Sequence, residues 1–522
     1  MRGTSDEPGA AAAPHTSPPA AAPAAAPAAS GPGKLLSHSL VYGFGIVMRP
    51  MVAFLMLPVY THFIRSAQYG VLELLHRGGD FVAIALALGL APGMMRQYAL
   101  RQTVADKREL VSTALIFSGL WGLLLSGGLM ASAGSLSRLA TKAAGNERLL
   151  IVVLLTVWLE TGIRVPLSYM RAKEQSKRYT AINVARLIAG VGLNLYFVVV
   201  LRLGIAGIIY AAALVSTGSW LTLSALTLRE TGFRFSRGDL LQILGFGLPL
   251  AIGGLPTFGL HFADRFVLAR YATSADIGVY AVGYRLGMLV GVLVNDPFGL
   301  AYEPYSYAIE SRPESKQIYS RTLTYHALAG LLVFVLLSCL GGAAVRVMTA
   351  PDYFGAERVI PWVALGYVFY GVSNTARLGL LLRRRTELTL PLNAAAAAFN
   401  VGANFLLIPR YGIQGAAIAT TGAFLFLAVI NYAVAYRVYA IPCEAGRLAK
   451  AVGSAVVVAF AAVHFAPEAL FLRLLVGAAA AAAFPTLLLA LGFLHDDEAA
   501  VVSRIVARLL SALRAKGKVE CP

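Results

Sequence analysis

Long apolar stretches, each about the length of a membrane-crossing helix, recur along almost the whole chain. A bilayer core needs about 20 consecutive apolar residues per helix, and stretches of that length follow one another from Ser37 to Phe493. The pattern predicts an all-α polytopic membrane protein with about fourteen transmembrane helices. The predicted spans are 37–63, 68–91, 109–133, 148–171, 178–201, 205–228, 239–263, 276–300, 320–341, 357–381, 387–408, 412–436, 448–466 and 469–493.

The composition supports this interpretation and changes the meaning of the positive charge. Of 522 residues, 58% are hydrophobic and 13% are charged, against roughly one quarter charged in soluble domains. The formal charge of +18 would suggest nucleic acid only if a soluble basic surface were available, and every predicted loop is short. We therefore attribute the positive charge to the loops on one side of the membrane, and we expect no nucleic-acid partner.

The basic residues indicate the orientation of the chain. An even number of spans places both termini on one side, and the loops of that side hold more Arg and Lys than the opposite loops. The positive-inside rule then puts both termini in the cytoplasm, so we expect a multi-pass protein of the cell inner membrane. Residues 1–33 are rich in Ala and Pro, and we expect them to form a disordered cytoplasmic tail. We expect residues 497–522 to form a basic amphipathic cytoplasmic tail that contacts anionic membrane lipids.

An internal repeat divides the chain into two lobes. The stretch SAQYGVLELLHRGG begins at Ser66, and SADIGVYAVGYRLG begins at Ser274, an offset of 208 residues. A second match joins Asn183 and Asn194 to Asn393 and Asn404, at an offset of 210, and the Gly204-Ile-Ala-Gly207 that follows to Gly412-Ile-Gln-Gly415, at 208. Parallel repeats of this kind are common in transporters. The predicted organisation is a six-helix N-lobe at 34–231, a six-helix C-lobe at 232–440 and an extra helix pair at 441–496.

Arginines at membrane depth are the candidate binding residues. A charged group in the bilayer is costly and usually faces a cavity or a partner, and guanidinium forks onto phosphate oxygens. Arg49 lies midway along the first span beside Pro50, which should kink that helix. Arg77 and Arg285 are repeat mates, and Arg186 lies in the fifth span. These four arginines are the candidates for binding a phosphate or diphosphate.

Acidic and polar residues complete the candidate site. Glu73, His76, Arg77 and Asp80 share one face of the second span. Glu73, Asp80 and Glu160 are candidates for coupling to protons or sodium ions, or for internal salt bridges with Arg77 and with Arg164. The candidates for hydrogen bonds to sugar hydroxyls are Asn183, Asn194, Asn393, Asn404, Tyr280 and Tyr284.

Several other chemistries lack the residues that they require. The three cysteines are far apart, so the sequence indicates neither a metal site nor a disulfide framework. The sequence contains no P-loop, no HExxH motif and no GxSxG motif, each of which carries a defined chemistry. We expect no enzyme activity, no metal and no cofactor beyond a coupling ion.

The chain resembles the polysaccharide and oligosaccharide flippases of the multidrug/oligosaccharidyl-lipid/polysaccharide (MOP) exporter superfamily. The resemblance rests on Tyr42-Gly43, on the run FLMLPVYTHFIRSAQYGVLELL from Phe54 to Leu75, and on the echo SADIGVYAVGYRLG. It implies two six-helix bundles around a central cavity, an extra helix pair and alternating access. It also implies transfer of a polyprenyl-diphosphate-linked oligosaccharide from the cytoplasmic to the outer leaflet, with a polymerase and glycosyltransferases of the same pathway as partners.

Two alternatives remain open at this level. One is an ion-coupled exporter of the same superfamily with another substrate, either a peptidoglycan lipid precursor or a small molecule or drug. The drug-exporting branch often has an acidic residue in its first helix, and the first span here has Arg49 and no Asp or Glu. The other alternative is a membrane glycosyltransferase or polymerase, which would need catalytic carboxylates in a large exposed loop.

Overall fold

A computed structural model describes residues 51–500, except 53, 142–144, 466, 468 and 497. The predicted tail 1–33, most of the tail 497–522 and most of the first predicted span lie outside these residues. Seventeen α-helices are described. They are α1 Leu57–Phe63, α2 Ser66–Ala87, α3 Leu90–Leu100, α4 Val104–Ala131, α5 Ala133–Thr141, α6 Glu147–Ala172, α7 Ser176–Leu195, α8 Ile205–Thr231, α9 Arg237–Tyr271, α10 Ser274–Gly287, α11 Asp296–Ala308, α12 Ser315–Met348, α13 Ile360–Ala376, α14 Leu378–Leu382, α15 Thr389–Val438, α16 Ala445–His464 and α17 Leu470–Ala490. Short π- or 3₁₀-helical turns occupy Tyr196–Val200, Gly291–Asn295, Pro351–Arg358 and Thr386–Leu388.

The described helices have the lengths that a membrane demands. Eleven helical segments are long and apolar enough to cross a bilayer. Among them are Ser66–Leu100 and Ser274–Ala308, each of 35 residues, which occupy equivalent places in the two lobes. Helix α13 has 17 residues and α14 has 5, so each is shorter than these segments. The non-helical backbone of Gly412 divides α15 into two arms. The all-α membrane fold is thus confirmed, while the count of fourteen spans stays a prediction.

The repeat found in the sequence has a counterpart in backbone geometry. Gly204 has φ 58° and ψ −135°, and its mate Gly412 has φ 55° and ψ −131°. A side chain is strained at these positive φ values, so glycine suits both places. In each lobe this residue turns the chain sharply between two consecutive helices.

The two lobes touch at a close contact between α2 and α10. A Cβ built on Gly70 would lie 1.8 Å from the carbonyl oxygen of Ser274, and one built on Gly278 would lie 2.1 Å from that of Ser66. Gly70 and Gly278 are repeat mates, as are Ser66 and Ser274. The contact is therefore nearly symmetric and requires glycine on both sides. We refer to it as the glycine contact.

A second contact between the lobes joins α3 to the beginning of α9. Gly89 and Gly247 approach each other so closely that a Cβ on either would lie within 2.4 Å of the other's carbonyl oxygen. The Arg101 guanidinium forms an ion pair with Asp239 and donates to Gln242 Oε1 at 2.9 Å. The helix Ser66–Leu100 thus contacts the C-lobe along much of its length.

Candidate functional site

A cluster of charged side chains lies between the lobes and begins one helical turn from the glycine contact. Its centre is Glu73 of α2, whose side chain is 4% exposed. Arg77, one turn further along the same helix, donates Nε to Glu73 Oε1 at 2.9 Å and pairs with Asp80 at 2.6 Å. The i, i+3 and i, i+4 spacing of these residues produces this arrangement, as the sequence pattern indicated.

The C-lobe supplies two further arginines to the same carboxylate. Arg265 Nε of α9 lies 3.6 Å from Glu73 Oε1, and Arg285 Nη2 of α10 lies 3.9 Å from Glu73 Oε2. Three guanidinium groups from two lobes therefore surround one buried carboxylate. We call Glu73, Arg77, Asp80, Asp264, Arg265 and Arg285 the interlobe cluster.

The three arginines of this cluster differ in accessibility. The Arg265 side chain is 2% exposed; Asp264 accepts from it at 2.8 Å, and its guanidinium carbon stands 3.8 Å from the centre of the Tyr284 ring. The side chains of Arg77 and Arg285 are 19% and 28% exposed. Arg265 is thus enclosed by the protein, whereas the side chains of Arg77 and Arg285 are partly exposed.

A cavity of about 410 Å³ adjoins the cluster and is lined by α2, α3, α6 and α9. Asp80 belongs to both the cluster and the cavity wall. Arg164, midway along α6, also lines the cavity and is exposed to it. Its guanidinium forms no ion pair with another described residue. A cation at membrane depth without such a partner is expected to serve a ligand or a functional site.

The structure separates the predicted anion-binding residues. Arg77 and Arg285 meet at Glu73, whereas Arg186 of α7 lies elsewhere and donates to Glu160 Oε2 at 2.6 Å. Ser216 and Ser219 of α8 complete this second pair. The salt bridge that the sequence spacing offered between Glu160 and Arg164, both of them described residues, is therefore not formed, and Arg186 of the neighbouring helix pairs with Glu160. Arg49 lies outside the described residues.

The predicted sugar-binding residues are mostly engaged with the protein itself. Asn183 and Asn194 donate to carbonyl groups of α7 at 2.8 Å. Asn404 is fully buried and donates to Asn400, while Asn393 reaches Thr257 at 3.5 Å. None of these contacts points to a shared cavity, so their role in glycan binding stays a prediction.

The two predicted tyrosines serve the interlobe cluster. Tyr280 is fully buried and donates to Asp264 Oδ2. Tyr284, also buried, provides the ring under Arg265, and its hydroxyl lies 3.2 Å from that of Tyr367. Both side chains therefore hold the Asp264–Arg265 pair in place beneath the accessible arginines.

The sequence pattern alone does not single out Arg164 or Arg265. Arg164 has Glu160 at salt-bridge spacing, and Arg265 stands beside Asp264 at the end of a predicted span. Each is an arginine in or beside an apolar stretch, which is itself an indication of a functional role. Their neighbours come from other helices, however, and hydropathy does not tell which helices are adjacent.

Known proteins share the sequence pattern and the fold. A sequence model of the family described as polysaccharide biosynthesis protein matches residues 59–356. Lsg locus protein 1 of Haemophilus influenzae is 22% identical over 280 residues, which are 52% of this chain and 66%, just under two thirds, of that protein.

Solved structures of transporters superpose on most of the chain. The lipid II flippase MurJ, in an inward closed conformation, matches with a TM-score of 0.69 at 12% identity over 86% of this chain and 98% of its own. An inward-facing multidrug resistance transporter of the MATE family, in the MOP superfamily, matches with a TM-score of 0.60 at 19% identity over 77% and 95%. At these identities the likeness establishes the fold. The chain is a multi-pass membrane protein with the MOP exporter fold, and it belongs to the polysaccharide biosynthesis protein family.

Proposed function

We propose that this protein is a flippase that moves a polyprenyl-diphosphate-linked oligosaccharide from the cytoplasmic to the outer leaflet of the inner membrane. The observation that carries the proposal is the pair of partly exposed arginines between the lobes, Arg77 and Arg285, together with Arg164 on the wall of the cavity that Asp80 shares with their cluster. Guanidinium groups bind phosphate oxygens in bidentate fashion and stay charged at any physiological pH. The family match to polysaccharide biosynthesis supports a glycan as the cargo.

The contacts of Glu73 suggest how such a cargo would be bound and released. In the structure this carboxylate forms ion pairs with Arg77 of one lobe and Arg285 of the other. A diphosphate offers more oxygens and more negative charge than one carboxylate, so it would compete with Glu73 for both arginines. We propose that this exchange loosens the tie between the lobes and permits alternating access. Arg49 belongs to the proposed binding set on sequence grounds.

The orientation and the partners are part of the same proposal. Both termini would lie in the cytoplasm, as the positive-inside rule predicts. The protein would work with a polymerase and glycosyltransferases that make and use the lipid-linked glycan. The lobes would correspond to residues 34–231 and 232–440, with residues 441–496 as the added helix pair.

Complementation of a deletion strain tests this function. Arg77→Ala, Arg285→Ala and Arg164→Ala should each lower surface polysaccharide and trap lipid-linked intermediate, provided that membrane expression is unchanged. Arg285→Lys should give a partial defect, because lysine keeps the charge but loses the planar fork. The exposed Arg410 provides the matched control, and Arg410→Ala should behave as wild type. Normal polymer from all three well-expressed variants would remove the proposed site.

Purified protein in liposomes gives the direct test of the cargo. A labelled polyprenyl-diphosphate oligosaccharide in the vesicle membrane should reach the opposite leaflet faster with the protein than without it. The same lipid carrying a monophosphate should move more slowly, because it offers fewer oxygens to the arginines. Equal rates with and without protein for every lipid-linked sugar would overturn the proposed function.

A further inference from the structure

A second cavity, of about 460 Å³, lies within the C-lobe and away from the interlobe cluster. It is bounded by α11, α12, α13 and the turn that leads into α14. The titratable or charged residues that line it are Asp296, Tyr302, Glu303, His326 and Arg377. Within the part of the chain that the structure describes, Asp296, Glu303 and Arg377 form no ion pairs. The transport scheme above leaves this polar cavity at membrane depth without a role.

His326 of α12 is held at the edge of this cavity with both ring nitrogens engaged. Its side chain is buried, Nδ1 lies 2.7 Å from Thr375 Oγ1, and Nε2 lies 3.0 Å from Asn295 Oδ1. The Phe298 ring is stacked on the imidazole at 3.8 Å between centroids. The orientation of the Asn295 amide is fixed because its Nδ2 donates to the carbonyl of Tyr367 at 2.9 Å.

These contacts allow the imidazole to hold one proton or two. Asn295 presents an acceptor, so Nε2 carries hydrogen in either state. The Thr375 hydroxyl can donate to Nδ1, which suits neutral imidazole. It lies 3.2 Å from the carbonyl of Gly371, so it can instead donate there and accept a hydrogen from Nδ1. Rotation of one hydroxyl therefore satisfies the neutral ring and the imidazolium equally.

The charges around the ring decide how readily the second proton binds. The carboxyl groups of Asp296 and Glu303 and the guanidinium of Arg377 line the cavity together with the ring. A nearby carboxylate favours an added positive charge, and a nearby guanidinium disfavours it. A histidine with two hydrogen-bonded states and carboxylates nearby is suited to a proton.

Contacts lead from His326 to the boundary between the lobes. Asn295 ends the π-helical turn Gly291–Asn295, a form of backbone often found at functional sites. Its partner Tyr367 reaches Tyr284 through their hydroxyl groups at 3.2 Å. The Tyr284 ring lies under Arg265, and Arg265 stands 3.6 Å from Glu73 of the N-lobe. Each step is a direct contact between side chains or with a backbone carbonyl.

We propose that His326, with Thr375, Asn295 and Asp296, forms the site where a proton binds and drives the transport cycle. This inference rests on the proposed transport function, since it names the coupling ion and its binding residues. Protonation of the ring turns the Thr375 hydroxyl from Nδ1 to the carbonyl of Gly371 and makes Nε2–H a charged, stronger donor to Asn295 Oδ1. It thereby alters the support that Tyr367 and Tyr284 give to Arg265 at the interlobe cluster.

The first experiment needs no substrate. Spin labels at Ala67→Cys and Ala275→Cys, in a chain without its native cysteines, report the distance between α2 and α10. In detergent or nanodiscs the wild-type distance distribution should shift between about pH 4 and pH 8. His326→Gln should abolish this shift, and Asp296→Asn should move it to lower pH. His62→Gln, at an exposed histidine of α1, serves as the matched control and should respond as wild type.

The second experiment measures flipping in liposomes under imposed gradients. A pH gradient should accelerate transfer of a lipid-linked oligosaccharide by wild type and by His62→Gln, and His326→Gln and Thr375→Val should lose this acceleration. A pH-dependent distance shift that persists in His326→Gln, or a response to sodium alone, would overturn the proton site. Absence of flipping with an intact His326-dependent distance shift would instead overturn the proposed cargo and leave the proton site standing.

Discussion

The glycine contact makes a sharp prediction about lobe closure. In Gly70→Ala the new Cβ would lie 1.8 Å from the carbonyl oxygen of Ser274, whereas a carbon and a carbonyl oxygen need about 3.3 Å. The helices α2 and α10 must therefore separate by about 1.5 Å at this point. The obstructing atom belongs to the backbone, so no side-chain rotation can relieve the clash. Gly278→Ala, with 2.1 Å to Ser66 O, requires a slightly smaller separation.

The free-energy cost falls on the closed arrangement of the lobes. Overpacking a tight contact costs about 1 to 3 kcal/mol, which shifts an equilibrium about 5- to 150-fold. In the proposed alternating-access cycle α2 and α10 would be apart in the open arrangement, so the substitution should leave the free energy of that arrangement unchanged. We therefore expect Gly70→Ala to convert most molecules to a form in which α2 and α10 are apart. The double variant with Gly278→Ala should add little, because the contact is already lost.

Distances between the labels on α2 and α10 measure this shift, and flipping in liposomes shows its consequence. Gly78→Ala is the matched control, because it lies in the same helix and its Cβ would meet nothing within 4 Å. A distance distribution for Gly70→Ala that coincides with those of wild type and Gly78→Ala would refute the reasoning. The contact would then not limit the position of the lobes.

Three further predictions concern charged residues. Glu73→Gln removes the carboxylate shared by three arginines and should lower the free energy of unfolding by about 3 kcal/mol. Thermal unfolding measures this loss, and the distance between the labels on α2 and α10 should increase. An unchanged unfolding midpoint would contradict the central role of Glu73. Arg164→Ala should leave the thermal midpoint unchanged but weaken binding of pyrophosphate about 10- to 100-fold, measured by calorimetry; equal affinities would exclude it from the site. Burial acts to raise the pKa of Glu444 and of Glu498, but hydrogen bonds and the Arg447 guanidinium outweigh it and hold both below the ordinary value. The stability that they contribute is thus present above that ordinary value and lost as the pH falls below it, and Arg447→Met should flatten this acid limb of a thermal-stability profile.

Hydropathy predicted the described helices closely. The predicted span 148–171 corresponds to α6, Glu147–Ala172, and the predicted span 205–228 to α8, Ile205–Thr231. Apolar length is a direct consequence of bilayer thickness, so such boundaries can be derived from sequence. The two repeat matches likewise mark positions of equivalent backbone, as Gly204 and Gly412 show.

The partners of the charged residues could not be derived in the same way. Arg285 has no acidic neighbour in its own helix, and its carboxylate comes from Glu73 in the other lobe. Arg186 of α7 forms an ion pair with Glu160 of α6. The sequence around His326 does not indicate a binding site, because its hydrogen-bond partners Asn295 and Thr375 belong to other helical segments. Helix adjacency decides these contacts, and periodicity along one helix contains no information about it.

The repeat leaves the two lobes alike in shape but unlike in charge. At the offset of 208 residues the glycines of the contact have glycine mates, and Arg77 has Arg285, whereas Glu73 corresponds to Ala281 and Arg265 to Leu57. An artificial chain made of two N-lobe copies would therefore still meet at its glycines. Its cluster would hold four carboxylates, two each of Glu73 and Asp80, against two arginines, so it would be net negative, whereas the natural cluster has three carboxylates and three arginines. The shared part of the two halves thus accounts for the close approach of their helices, and the residues in which the halves differ account for the charge balance between them.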